Sequence, residues 1–329
     1  MGKKLEATLA ILNGAIGDYL ARTGNGLATE TTLVPRIGAE LPLRLERGAL
    51  EKALPAASGR IALLVHGLMC TETIWEMADG DDYGARLARD LGYTPIYLRY
   101  NSGLAIAENG VRLSGALEKL AAEYPRPIEE IVPIGYSMGG LVVRSACHVG
   151  RLESKAWLSL IRRAIYVGTP HLGAPLERVG RAVATMLRAI DDPYTRLVGQ
   201  LADMRSDGVK DLGDADLRHE DRTAKAGRVR LRDPQHPVPL LPEIQHFLVA
   251  GSLADDTFPA GLAALFGDAL VPLQSATAGL VEPTKDVLPP SHIEILAGRS
   301  HMMLAHDPEV YEVIRGWCET SEGKESKES

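Results

Sequence analysis

Short apolar runs rich in β-branched residues alternate along this chain with longer stretches in which apolar residues recur at helical spacing, the pattern of a parallel sheet flanked by helices. Six runs read as strands: Arg60–Leu68 (RIALLVHGL), Thr94–Tyr100 (TPIYLRY), Glu130–Gly135 (EIVPIG), Arg163–Gly168 (RAIYVG), His246–Gly251 (HFLVAG) and His292–Ala297 (HIEILA). Between them, Gly103–Glu123 carries Leu104, Val111, Leu113, Leu117 and Leu120 at roughly helical spacing. Ser137–Val149 reads as a largely buried helix and Pro308–Trp317 as a final one. Six strands suffice for an open, mostly parallel, doubly wound α/β sheet.

The alternation breaks once, between about His171 and Gln245, a stretch far longer than the connection of about 2–6 residues usual in such folds. Its first half, Leu176–Leu201, is helical in pattern; Asp203–Asp233 is rich in Asp, Arg and Gly, and Pro234, Pro237, Pro239 and Pro242 close it. We read it as an insertion over the sheet, a cap or lid, with a solvated connector as the alternative. At the N-terminus, Leu5, Leu9, Ile11, Leu12, Ile16 and Leu20 follow Lys3 and Lys4 in the manner of an export signal. Glu6, Asn13 and Asp18 interrupt the run and the small-residue cleavage pattern is poor, so an amphipathic helix packed on the body is expected instead. No apolar run approaches the ~20 residues that a bilayer span needs, and the expected compartment is the cytoplasm. The expected division is an entry segment at 1–58, one α/β domain at 59–319 with its cap at about 171–245, and a polar, low-complexity tail at 320–329 (TSEGKESKES), expected to be disordered.

Composition narrows the function classes. At 45% hydrophobic and 24% charged residues, the 329-residue chain is that of a folded globular protein, long for one domain but ordinary for an α/β enzyme with an insertion. A formal charge of −7 repels phosphate backbones, and no Lys/Arg stripe interleaved with aromatics offsets it, so nucleic acid is not an expected partner. Cys70, Cys147 and Cys318 are odd in number and far apart, without zinc-type spacing. They read as reduced thiols, and neither metal nor cofactor is expected.

The chemistry concentrates at Gly135-Tyr136-Ser137-Met138-Gly139, a G-x-S-x-G pentapeptide. Alone it is a weak signal in a chain with 33 glycines. Here it follows the apolar strand EIVPIG and opens the helical run GGLVVRSAC, the strand–turn–helix setting that holds a serine hydroxyl exposed on a sharp turn. A turn serine bonded to its own backbone is the plainer alternative. Such a hydroxyl attacks a carbonyl only if a base takes its proton and buried donors meet the oxyanion. The amides of Leu68, in the HGLM segment after the first strand, and of Met138, after the serine, are the expected donors.

Among the histidines after Ser137, which include His148, His171, His219, His236, His246, His292, His301 and His306, only His301 follows the last expected strand in a loop leading to the final helix. Loops at the carboxyl ends of strands are where such a sheet places its site, so His301 is the expected base. His66 precedes the serine and reads as a structural imidazole bonded to loop backbone; His171 reads as a holder of loop geometry, His292 as the start of a strand and His306 as a cap of the next helix. The acid that orients the base is expected between the insertion and the last strand: Asp268 in GDALVP, with Asp255 and Asp256 as rivals whose other role is to cap a helix through Leu262–Phe266.

Taken with their order and spacing, VHGL at 65–68, RYNSG at 99–103, GYSMGG at 135–140, VGTPHLGAP at 167–175, GDALVP at 267–272 and RSHMML at 299–304 resemble the bacterial lipases and esterases of the α/β-hydrolase superfamily over about residues 60–318. The resemblance implies the α/β-hydrolase fold and hydrolysis of carboxylic esters through an acyl-enzyme, with an aliphatic acyl chain under the insertion. HGLM, where some esterases have a run of glycines, is similar to the lipase branch with a bulky residue there. Exported lipases of this type carry a clear signal peptide and often a disulfide or calcium site; the chain departs from them in both, so secreted triglyceride digestion is not expected. The same three side chains suit an acyltransferase or thioesterase, and the same fold suits a non-catalytic binding protein. Leu176, Val179, Val183 and Met186 would cover the active site or touch lipid.

Overall fold

The computed structural model describes residues 3–174, 206–214, 217, 238–253, 268, 271, 273–277 and 288–319. Seven strands form one sheet: β1 (Thr32–Val34), β2 (Arg60–Val65), β3 (Thr94–Arg99), β4 (Glu130–Tyr136), β5 (Arg163–Val167), β6 (Gln245–Ser252) and β7 (Ile293–Ala297), in the spatial order β1-β3-β2-β4-β5-β6-β7. All pairings are parallel except that of β1 with β3. The six expected strands are all present; β1 is the addition, a three-residue edge strand too short to show a period. From β2 the chain winds outward to β3, then crosses back to β4 and continues the other way. The order therefore reverses between β2 and β4, and the crevice beyond their carboxyl ends is where an open α/β sheet receives a ligand.

Alternate residues of the central strands feed two separate cores. Ile61, Leu63, Val65 and Ile131 point into one, with Leu113, Leu117, Leu141 and Val142 from α4 (Ile106–Glu123) and α5 (Met138–Leu152). Ala62, Leu64, Val132 and Ile134 point into the other, with Tyr83 and Leu87 of α3 (Tyr83–Leu91) and Val310, Tyr311 and Ile314 of the C-terminal helix Pro308–Glu319. Burial on both faces explains why these strands read as continuous apolar runs rather than alternating ones. Pro133 sits inside a central strand because its missing N–H falls before the β4–β5 ladder, which is registered from Ile134 to Tyr136.

Strand ends differ from the expectation where they matter most. β2 stops at Val65, so His66–Leu68 leave the sheet as a loop, and β4 runs through Tyr136 to the threshold of Ser137. Residues 3–22 form α1, which packs on the body; Asn101 Nδ2 donates to the Gly17 carbonyl at 2.9 Å. α2 spans Arg47–Ala53. Within the long connection between β5 and β6, Asp207–Asp214 forms a further helix, α6, whose Asp211 carboxylate accepts the Ile106 N–H at the start of α4 at 3.0 Å. The expected helices at Leu176–Leu201 and Leu262–Phe266 lie outside the described residues. α7 (Leu273–Ala276) precedes β7, and Pro308–Glu319 is α8. Among the described residues no helix is long and apolar enough to cross a membrane. Cys147 and Cys318 are buried and Cys70 half-buried, all three as free thiols.

Candidate active site

The turn between β4 and α5 is a single residue. Ser137 has φ 53° and ψ −124°, a conformation that costs a residue with a side chain roughly 1–3 kcal/mol and persists only where the surroundings impose it. They do so here: the Ser137 N–H donates to the Val167 carbonyl of β5 at 2.8 Å, and α5 begins one residue later. Such a tight reversal brings the backbone of α5 onto the end of β2. A Cβ on Gly139 would run into the carbonyls of Val65 and His66, and one on Gly67 would stand 3.1 Å from the Ser137 Cβ. Glycine at 139 is a requirement of close approach, and at 67 a side chain would press on Ser137.

His301 reaches Ser137 from the loop after β7. Its Nε2 lies 2.9 Å from Ser137 Oγ and its Nδ1 2.7 Å from Asp268 Oδ2. All three side chains are buried. Asp268 is itself oriented: its Oδ1 accepts the Val271 N–H at 2.8 Å, and its carbonyl accepts the His301 N–H at 2.9 Å. The structure therefore brings together the serine, histidine and aspartate expected from sequence. Asp255 and Asp256 lie outside the described residues.

Several further side chains hold the histidine loop, and none is evident from a motif. The Tyr136 hydroxyl donates to the His301 carbonyl at 3.1 Å while its ring lies beside the imidazole, centroids 5.2 Å apart. Tyr83 OH lies 2.6 Å from the Asp307 carbonyl and 3.0 Å from that of Leu304. Arg299 bonds Asp307 at 2.5 Å. Asp307, not His306, caps α8, its Oδ1 accepting the Glu309 N–H at 2.8 Å; a short carboxylate reaches a helix-terminal amide more readily than an imidazole does.

Leu68 lies in the loop after β2 and Met138 directly after Ser137. Leu68 follows Gly67, which rests on Ser137; Met138 opens α5, at the end of a helix where the first N–H groups have no intrahelical acceptor and the dipole favours negative charge. Both side chains are buried.

The other histidines are engaged elsewhere. His66 is buried against Tyr100, ring centroids 4.4 Å apart, with Nδ1 2.9 Å from the Gly67 carbonyl; burial lowers its pKa to about 4. His246 lies with Nε2 3.0 Å from the Leu241 carbonyl and Nδ1 3.1 Å from Tyr166 OH, and burial lowers it to about 4 as well. His171 faces Arg144, its Nδ1 3.2 Å from Nη1, and first burial and then that guanidinium hold its pKa well below the usual range. His292 ends a short turn directly before β7. His219 and His236 lie outside the described residues.

No model of a known protein family matches the chain, and no curated protein is recognisably similar to it in sequence. Solved structures are similar in fold. The propeptide form of a Bacillus licheniformis lipase, BlEst2, superposes with a TM-score of 0.51 at 18% identity, over 88% of this chain and 53% of that one. The mature form gives 0.49 at 17%, over 88% and 97%. A Rhodococcus esterase, RhEst1, gives 0.46 at 15%, over 80% and 92%. At such identities the likeness is one of fold: the chain has the α/β-hydrolase fold, with a mostly parallel seven-stranded sheet.

Three imidazoles held neutral by burial make stability depend on pH. The unfolded chain takes up protons at His66, His171 and His246 below about pH 6.5, whereas the folded protein resists protonation of His66 and His246 down to about pH 4 and holds His171 well below its ordinary range too. Stability is therefore full above pH 6.5 and falls as the pH is lowered through that window, with a limiting slope near 1.4 kcal/mol per pH unit for each imidazole. Urea unfolding at a series of pH values should show this decline, and His66→Gln should make it shallower; equal stability at pH 7 and pH 5 would contradict it.

Proposed function

We propose that the chain is a serine hydrolase that cleaves carboxylic esters through an acyl-enzyme, with Ser137 as nucleophile, His301 as general base and then acid, and Asp268 as the carboxylate that orients and stabilises the imidazole. The observation that carries this reading is the unbroken run of contacts from Asp268 Oδ2 through both ring nitrogens of His301 to Ser137 Oγ, at 2.7 and 2.9 Å. With its Nδ1–H donated to the carboxylate, the ring offers the lone pair of Nε2 to the serine proton.

In the proposed reaction the Ser137 oxygen attacks the ester carbonyl as its proton moves to His301. The negative charge that builds on the carbonyl oxygen is met by the amides of Leu68 and Met138, fixed before the substrate arrives, so that little reorganisation is needed as charge develops. Collapse of the tetrahedral intermediate expels the alcohol, which takes the proton from His301. Water then attacks the acyl carbon as its proton passes to the same nitrogen, and collapse breaks the bond to Ser137, whose oxygen takes the proton back from His301 as the acid leaves. The buried Asp268 carboxylate favours the imidazolium in both halves.

The acyl group in this reading is aliphatic. Met302 and Met303 follow His301 directly and Leu172 lies on the loop after β5; all three are half exposed or nearly so, giving apolar surface in the loops that carry the site. The lipase name of the Bacillus licheniformis protein fits the same class of substrate.

Ser137→Ala and His301→Ala should each lower kcat for an aryl ester by at least about 10³-fold with the fold intact by circular dichroism, and Asp268→Asn by about 10³- to 10⁴-fold. Retention of most activity by Ser137→Ala overturns the assignment. Along a p-nitrophenyl ester series from acetate to hexanoate, kcat/KM should rise by roughly two- to fourfold per methylene; a flat or falling series contradicts an aliphatic acyl site. Faster turnover of a matched thioester, or transfer to an added alcohol in preference to water, would move the activity to a thioesterase or acyltransferase.

A further inference from the structure

The RYNSG segment at 99–103 contributes nothing to the contacts of Ser137, His301 and Asp268, yet it lies where three parts of the molecule meet the loop after β2. Ser102 Oγ accepts the Met69 N–H at 3.0 Å, with both residues buried. Met69 has φ 60°, the left-handed region that a residue with a side chain enters at a cost, so its conformation needs an external restraint. The hydroxyl supplies one. It also engages the Met69 amide, so the donor that this loop would offer is the preceding amide, that of Leu68. Cys70 N–H closes that turn on the Gly67 carbonyl at 3.3 Å, and Gly67 rests on Ser137.

Ser102 is in turn fixed from three sides. Asn101 Oδ1 accepts the Gly103 N–H at 3.0 Å, and Asn101 Nδ2 donates to Gly17 of α1 at 2.9 Å. Asn109 of α4 donates from Nδ2 to the Asn101 carbonyl at 3.0 Å. From the β5–β6 connection, Gly208 of α6 donates its N–H to the Gly103 carbonyl at 3.0 Å. α1 reaches Met69 directly as well: a Cβ on Gly14 would stand 3.0 Å from the Met69 nitrogen. A buried hydroxyl so immobilised is a rigid stop against which the Leu68–Met69 peptide is set.

We propose that Ser102 is a positioning residue for the oxyanion loop: by holding Met69 in its left-handed turn it aims the Leu68 amide at the oxygen that gains charge when Ser137 attacks. This rests on the reading of Ser137 as nucleophile. Because the amide acts on the tetrahedral species more than on the bound ester, losing its aim raises the barrier while leaving ground-state binding nearly unchanged.

The test compares wild type, Ser102→Ala and Ser102→Thr with p-nitrophenyl butyrate as substrate and phenylboronic acid as the probe that forms a tetrahedral adduct. Ser102→Ala should lower kcat by about 10- to 100-fold, as expected for a displaced catalytic dipole. KM should stay within twofold, the inhibition constant of the boronic acid should rise in step with the loss of kcat, and the pH midpoint of kcat should not move, since the imidazole and its partners are untouched. Ser102→Thr, which keeps the hydroxyl, should recover most of the rate. Should the alanine variant fail to fold, Ser102→Cys, similar in size but a poor acceptor, is read in the same way. A kcat and boronate affinity within twofold of wild type, a loss shared equally by KM, or no recovery with threonine overturns the inference. If wild type hydrolyses the ester and binds the boronate while Ser102→Ala matches it, this inference alone falls; if wild type does neither, the nucleophile reading falls and takes the inference with it.

Discussion

An imidazole has two nitrogens, and the architecture of this protein is arranged around what each of those of His301 touches. One meets a carboxylate whose other oxygen is already committed to a backbone amide; the other meets a serine hydroxyl held in a backbone conformation that few residues tolerate. Neither contact is local in sequence: 33 residues separate the histidine from the aspartate and 164 separate it from the serine. Holding such a contact takes a framework that fixes distant parts of the chain relative to one another, and the parallel sheet supplies it, its central strands locked by ladder bonds and packed into a core on each face. Ser137 thus stands directly at the end of a fully buried central strand, β4, although it occupies a turn.

The loops are stiffened one by one, each with a different device. At Ser137 it is the absence of side chains on the residues that α5 must bring against β2. At His301 it is a set of tyrosine hydroxyls and an arginine–aspartate pair that grip backbone carbonyls and the start of α8. After β2 it is a buried serine from the neighbouring strand's loop, itself anchored by α1 and α6. That last arrangement joins the N-terminal helix and α6 of the β5–β6 connection to the loop that would stabilise developing charge, which gives both a mechanical stake in the site.

Much of this was legible in the sequence, and the reasons differ by element. The central strands could be read because burial on both faces leaves an uninterrupted apolar run, whereas β7, with Glu294, Ile295 and Ala297 exposed, shows only as a short run rich in isoleucine. The serine could be read because the turn's geometry demands glycine on either side, and the histidine because it follows the last strand. β1 could not: with three residues, Thr32–Val34 is shorter than any period that would reveal it. The contribution of Tyr136 was hidden because a tyrosine in a strand looks like core, which its ring is, while the hydroxyl at its tip meets a carbonyl 165 residues away. Ser102 was hidden for a related reason: RYNSG stands out as a motif, but nothing in the segment tells which of its polar atoms meets a loop from another strand. Long-range bonds from side chain to backbone leave no periodic trace, and they do most of the positioning here.

The central claim is that the hydroxyl of Ser137 is a nucleophile because His301 takes its proton. Treating the purified protein with a fluorophosphonate, followed by peptide mapping in a mass spectrometer, addresses this with the fewest assumptions about substrate. The account predicts one adduct per chain, on Ser137, formed at least about a hundredfold more slowly once His301 is replaced by alanine. An unlabelled Ser137 in the wild-type protein, or labelling that proceeds equally well without the imidazole, would contradict it.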